Sequence, residues 1–89
     1  MTIFKGTLEV TDPIGLHARP ASQIVKVVKL AGLPVKMGRD AKSLVVANSP
    51  LQLMALKVKS GETLQVTVDA ADEAEAMKLV EDIQALLRG

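Results

Sequence analysis

Cysteine, tryptophan and tyrosine are absent from this chain, and phenylalanine and histidine each occur once. Without cysteine there is no disulfide, no zinc–thiolate site and no thiol nucleophile. One histidine among scattered carboxylates makes no cluster of metal ligands, so neither a metal nor a cofactor is expected. The near-lack of aromatics removes the platforms on which single-stranded bases stack. Eleven Lys and Arg against ten Asp and Glu leave a net charge of +1, which is no basic footprint, and nucleic acid is not an expected partner. No apolar run reaches the length of a membrane span, so membrane insertion is not expected either. The opening MTIFKGTLEV alternates and carries a lysine, unlike the continuous apolar core of a signal peptide. The expectation is a soluble, cytoplasmic monomer.

What is present suits one modest core. The chain has 89 residues, 48% of them hydrophobic, which argues for a single domain over residues 1–89. IFKGTLEVT (3–11) alternates, with Phe4, Gly6, Leu8 and Val10 on one face, as a half-buried strand does. Pro13 and Gly15 break that pattern. A helical period follows in Ala21, Ile24, Val25 and Val28, and ends at Gly32 and Pro34. PVKM and SLVVA read as two short strands joined by GRDAK. Asn48 or Ser49 then caps a short helix from Pro50 to about Leu56, proline fitting the first helical position. After a turn at Ser60–Gly61, Leu64, Val66 and Val68 alternate inward along another strand. A final helix begins at Asp72, which with Glu75 resembles a capping box, and carries the stripe Ala76, Val80, Ile83 and Leu87 with Leu79 and Leu86 beside it.

The order β-α-β-β-α-β-α, with two long strands polar on one face, gives an α+β domain of two layers, with one face of the sheet wet and the helices on the other.

The stretch that calls for chemistry is DPIGLHARPAS (12–22). It places the one histidine, His17, at the N-cap of the first helix. The amides of Ala18 and Arg19 then lie in a first turn that offers them no intrahelical partner. Free amides at the positive end of the helix dipole make an anion site beside the imidazole. Arg19 adds a permanent charge whose planar fork matches phosphate oxygens. Gly15 permits an unusual backbone angle just ahead. An imidazole is a nucleophile near neutral pH. Beside an anion cradle it points to phosphoryl transfer, which needs positioning and charge stabilisation more than many catalytic groups. The sequence has no glycine–lysine phosphate loop and no GxGxxG, so the phosphoryl group has to arrive on a partner or a small donor. A lone histidine near a helix start is also ordinary as a cap or surface residue, and the residues by themselves leave both readings open.

GLHARPAS (15–22) resembles the active-site signature of the HPr family, the histidine-containing phosphocarriers of the bacterial phosphoenolpyruvate:sugar phosphotransferase system. The resemblance covers nearly the whole chain. It implies an open-faced β-sandwich, a four-stranded antiparallel sheet with three helices on one face. It implies that His17 accepts a phosphoryl group on Nδ1 from enzyme I and passes it to the IIA domain of a sugar permease, with Arg19 steadying the group. As a phosphotransfer protein with a phosphohistidine intermediate, such a chain is not a stand-alone enzyme.

NSPLQLMALKVKSGETLQV (48–66) aligns with the family's regulatory-serine segment, and Ser49 stands where many Gram-positive members carry that serine. Phosphate there sits at a helix start and puts charge near a docking face. Many regulated members have a non-proline apolar residue next, whereas this chain has Pro50; without the resemblance Ser49 is an N-cap. Leu51 and Met54 are expected to be exposed as a docking patch near His17, Leu53 and Leu56 taking the core positions; ordinary core is the other reading. Ile14 stands where some members have a polar residue, so any help to phosphate there has to come from backbone. The alternative function is an HPr-like module acting by phosphorylation-dependent binding, with a serine kinase and a transcription regulator as further partners, or a relay serving a nitrogen-related or dihydroxyacetone kinase chain.

Overall fold

A computed structural model describes residues 2–88. Its elements are β1 (Thr2–Glu9), α1 (Ala18–Ala31), β2 (Val35–Gly38), β3 (Val45–Val46), α2 (Pro50–Ala55), β4 (Thr63–Ala70) and α3 (Glu73–Leu87). The strands form one antiparallel sheet in the order β1-β4-β2-β3. The expected order of elements, the antiparallel sheet and its single wet face are all observed.

Strand period decides which face is covered. Leu8 pairs with Leu64, Met37 with Val66 and Val35 with Val68, and all six side chains are buried. Their neighbours one residue along, such as Lys5, Thr7, Lys36 and Thr63, are exposed on the opposite face. Onto the apolar face pack Ile24 of α1, Leu53 of α2, and Ile83 and Leu87 of α3, each completely buried. Burying a side chain of this size contributes about 1.5–3 kcal/mol.

The ends of the helices carry their own signals. Gly32 closes α1 in the left-handed region at φ +70, its amide donating to the Val28 carbonyl. Pro50 takes the first position of α2, with Ser49 as N-cap. Asp72 caps α3, but its carboxylate accepts from the Ala74 amide at 2.9 Å rather than from Glu75. The expected capping box is therefore a two-residue Asx turn, and Glu75 contributes through the helix dipole alone.

Three expectations shift. In α3 Leu79 is fully buried and Val80 only half-buried. The helix packs against α1 as well as against β1 and β4, and Leu79 turns toward Val27 of α1. In α2 Met54 is half-buried against the core rather than exposed, and Leu56 is half-buried too. With Leu53 pointing inward, Met54 is one step of about 100° round the helix, at the edge of the buried stripe. Leu51, at 74% exposure, is the one member of the expected patch left fully in solvent. The strand read over 43–47 is ordered as β only at Val45–Val46, which pair with Met37 and Lys36.

Gly15 fixes the approach to α1. It sits at φ +85, and a Cβ there would lie 2.5 Å from the Val58 carbonyl oxygen and 3.0 Å from the Lys59 Cα. Gly32 has a similar φ, but open space around it. Gly15→Ala is expected to destabilise by roughly 2–4 kcal/mol and Gly32→Ala by about 1 kcal/mol, because only the first adds a backbone collision to the cost of the left-handed conformation. Urea unfolding midpoints measure both; equal losses would contradict the tight packing of Gly15.

Candidate functional site

The site begins in the turn after β1. The Thr11 and Asp12 amides donate to the Leu87 carbonyl at 3.1 and 2.9 Å, tying the turn to the C-terminal end of α3. The Gly15 amide donates back to the Asp12 carbonyl at 2.9 Å, and the Leu16 amide to Val58 at 3.0 Å. The chain thus enters α1 from a turn fixed at both ends, and His17 takes the N-cap with extended backbone at φ −102, ψ −173.

Its side chain does not cap the helix. Instead the ring lies 3.2 Å, Nε2 to Oδ2, from Asp12. Asp12 is buried, at 7% exposure, and its other oxygen accepts the Ile14 amide at 2.9 Å. The Ile14 hydrogen bond is the main reason its carboxyl titrates below the usual range, with the His17 contact adding to it against the cost of burial. An ionised carboxylate can only accept, so the proton between the two groups belongs to Nε2. In the neutral ring Nδ1 then carries the lone pair, and it makes no hydrogen bond to any described residue. The side chain is 31% exposed, neither sealed in nor free of contact.

His17 opens into a surface cavity whose walls include Asp12, Ile14, Arg19, Pro20 and Leu86. The amides of Ala18 and Arg19 lie in the first turn of α1, and the first intrahelical bond of the helix is from Ala21 to the His17 carbonyl. That turn has no acidic residue. Arg19 is exposed and makes no ion pair among the described residues. A cation at the positive end of a helix is locally unfavourable, and an anion held between the amides and the guanidinium relieves it.

The expected site residues are only partly brought together. His17 and Arg19 line one cavity, while Ala18 adjoins them in the first turn of α1 without lining it. Ser49, Leu51 and Met54 belong to or flank α2, which packs beside α1 but does not line the cavity. The exposed apolar wall beside the histidine is Ile14, at 72% exposure. Its amide, the expected backbone help for phosphate, is already committed to Asp12.

Asp12, Arg39 and Glu62 form the part that was not anticipated. Arg39, just after β2, donates through Nε to Glu62 Oε1 at 2.6 Å and through Nη2 to the Lys57 carbonyl at 2.7 Å; Nη1 reaches the Leu56 carbonyl. Glu62 also accepts the Lys59 amide at 2.5 Å. This clamp satisfies carbonyls past the end of α2, where Lys57 takes φ +52, and fixes the strip at 58–59 against which Gly15 packs. Asp12 had a visible sign, since Asp two residues ahead of an amide in a turn forms an Asx turn. Arg39 and Glu62 had none, being 23 residues apart.

A family model described as "PTS HPr component phosphorylation site" matches residues 4–87. The phosphocarrier protein HPr of Haloferax volcanii is 36% identical over 78 residues, spanning 86% of this chain and 88% of that one. The phosphocarrier protein NPr of Escherichia coli is 31% identical over 80 residues, spanning 90% and 88%. Among solved structures, HPr-C-His from Thermoanaerobacter tengcongensis superposes with a TM-score of 0.78 at 28% identity, covering 97% of this chain and 96% of that one.

Apart from the contacts of Arg39 with the Leu56 and Lys57 carbonyls, the clamp depends on the charge pair of Arg39 with Glu62. Glu62 is held down to about 2, chiefly by the Arg39 hydrogen bond and then by the Lys59 amide, against a model-peptide value of 4.5. A depressed acid stabilises above its unfolded value, and that contribution is lost as pH falls through the folded one. Stability is therefore expected to decline between about pH 5 and pH 2, modestly because the pair is partly exposed. Glu62→Gln should flatten that part of an unfolding-midpoint profile; an identical acid limb in the variant would contradict the clamp.

Proposed function

The chain belongs to the HPr family of phosphocarrier proteins, and from that premise we propose that His17 is its phosphoryl acceptor. Enzyme I, charged from phosphoenolpyruvate, is the donor, and the IIA domains of sugar permeases are the acceptors. The observation that carries this reading is the asymmetry of the ring. Nε2 is held by Asp12 while Nδ1 is unbonded, in a cavity shared with Arg19.

In the forward step the Nδ1 lone pair forms a bond to phosphorus as the donor's nitrogen–phosphorus bond breaks, its electron pair returning to the donor. The three phosphoryl oxygens then lie beside the Ala18 and Arg19 amides and the Arg19 guanidinium. The amides belong to the helix start itself, so in this reading charge is stabilised with little reorganisation. Transfer onward reverses the process on a different partner. Residues 1–89 act in this reading as one cytoplasmic unit, and no described helix is long and apolar enough to cross a membrane.

Docking is assigned to Leu51 and Ile14, the two strongly exposed apolar side chains on α2 and beside the histidine, with half-buried Met54 at the margin. Ser49 is assigned as a regulatory phosphorylation site, since its hydroxyl does not cap α2. A second reading, a nitrogen-related or other non-sugar relay, is favoured by the likeness to the NPr phosphocarriers. It uses the same chemistry with different partners.

Incubation with enzyme I and labelled phosphoenolpyruvate tests the assignment. Acid-labile, base-stable label is expected on the protein and none on His17→Ala; label retained by that variant would overturn it. Arg19→Ala should slow labelling about a hundredfold. Ser49→Asp should slow it by weakening the encounter, and an unchanged rate would remove Ser49 from the regulatory role.

A further inference from the structure

We propose that Asp12 is a positioning residue for phosphoryl transfer: its buried carboxylate keeps a proton on Nε2 of His17 throughout the cycle, so that Nδ1 is always the reacting nitrogen and the ring always departs as a neutral imidazole. The proposal rests on the reading of His17 as the acceptor.

The geometry carries it. Asp12 is the one buried charged side chain among the described residues. Both of its oxygens are used, one by the Ile14 amide at 2.9 Å and the other by Nε2 at 3.2 Å. Its backbone is pinned to α3 by the Leu87 carbonyl and to Gly15 by its own carbonyl. With one oxygen held by the Ile14 amide, the other is directed at Nε2. Nothing in the fold requires it to meet a histidine: the Ile14 bond alone completes the turn, and burying a charge is costly unless it is paired.

The chemistry follows from counting protons. A neutral ring with its proton on Nε2 attacks through Nδ1. When the Nδ1–phosphorus bond forms and no proton leaves, the ring becomes a phosphoimidazolium carrying one positive charge. Asp12 lies against that charge at Nε2 while Arg19 and the helix amides face the phosphoryl oxygens. On transfer to the next partner the Nδ1–phosphorus bond breaks, its electron pair returns to the ring, and neutral imidazole is left with Nε2–H intact. Were Nε2 to lose its proton, the leaving group would be an imidazolate, a far poorer one. The carboxylate therefore sustains the transfer potential of the phosphohistidine as well as choosing its nitrogen. The charged groups that face the ring are Asp12 from the turn and Arg19 from α1; α3 contributes only Ala85 and Leu86 to the cavity.

The test uses the full chain and Asp12→Asn, which keeps the size of the side chain and an oxygen for the Ile14 amide but lets an NH2 group face Nε2. Long-range proton–nitrogen NMR of the unphosphorylated protein reads the tautomer. The wild type is expected to hold its neutral ring with the proton on Nε2, and the variant to shift toward Nδ1–H. Labelling by enzyme I is expected to be about tenfold slower or more in Asp12→Asn. The phosphorus-31 titration of the phosphorylated ring should move to lower pH in the variant by about one unit, which loss of a merely structural turn would not produce. Urea midpoints of Asp12→Asn and Asp12→Ala show whether fold is retained. The same tautomer in wild type and Asp12→Asn would overturn the proposal, and so would a changed tautomer with unchanged transfer and titration. A wild type that takes no label would instead overturn the acceptor reading and the transfer role with it, while the tautomer measurement still decides the pairing of Asp12 with His17.

Discussion

Gly15 meets the backbone of Val58 and Lys59 where any side chain would collide, at a φ of +85, and the direction of the first helix follows from that contact. With the Leu16 amide bonded to Val58 and the Asp12 amide bonded to Leu87, the short path from β1 into α1 is held by two remote segments. His17 is therefore placed by backbone at the helix entrance. Its ring needs no apolar packing to stay there, which leaves part of it open to a partner.

The two ring nitrogens have different surroundings. Nε2 meets a carboxylate that is itself buried and bonded; Nδ1 is hydrogen-bonded to none of the described residues. Next to it, α1 breaks a local rule: its first turn carries a cation and no acid, against the sense of the helix dipole. Departures of this kind concentrate where function outweighs local stability. The support extends further than the cavity. Arg39 and Glu62 bind the end of α2 to the start of β4 and so hold the strip against which Gly15 packs. The approach to His17 at one end of the chain rests on an ion pair drawn from its middle.

The sheet and helices were legible because each writes its period into adjacent residues. Leu8 and Val10, then Leu64, Val66 and Val68, and Ala21, Ile24, Val25 and Val28 all lie inward as their spacing indicates. The grouping of His17, Ala18 and Arg19 at the start of α1 was legible for the same reason, since the three are consecutive. What escaped were contacts between distant segments. Val80 and Leu79 exchange burial because α3 answers to α1 and the sheet together, and no single-helix pattern contains α1. Arg39 lies in the GRDAK connection and Glu62 just ahead of β4, and neither stretch carries any sign of the other. Asp12 lay in plain view in the turn, yet its second oxygen is committed by the ring's orientation, which spacing does not record.

The central claim is that the phosphoryl group on His17 is received by the amides that open α1. Backbone amide NMR of the protein before and after phosphorylation by enzyme I measures it directly. The expected result is a pronounced downfield movement of the Ala18 and Arg19 amide protons, with Ile14 nearly unmoved because it stays on Asp12. Ala18 and Arg19 resonances left in place, or a large movement confined to Ile14, would contradict it.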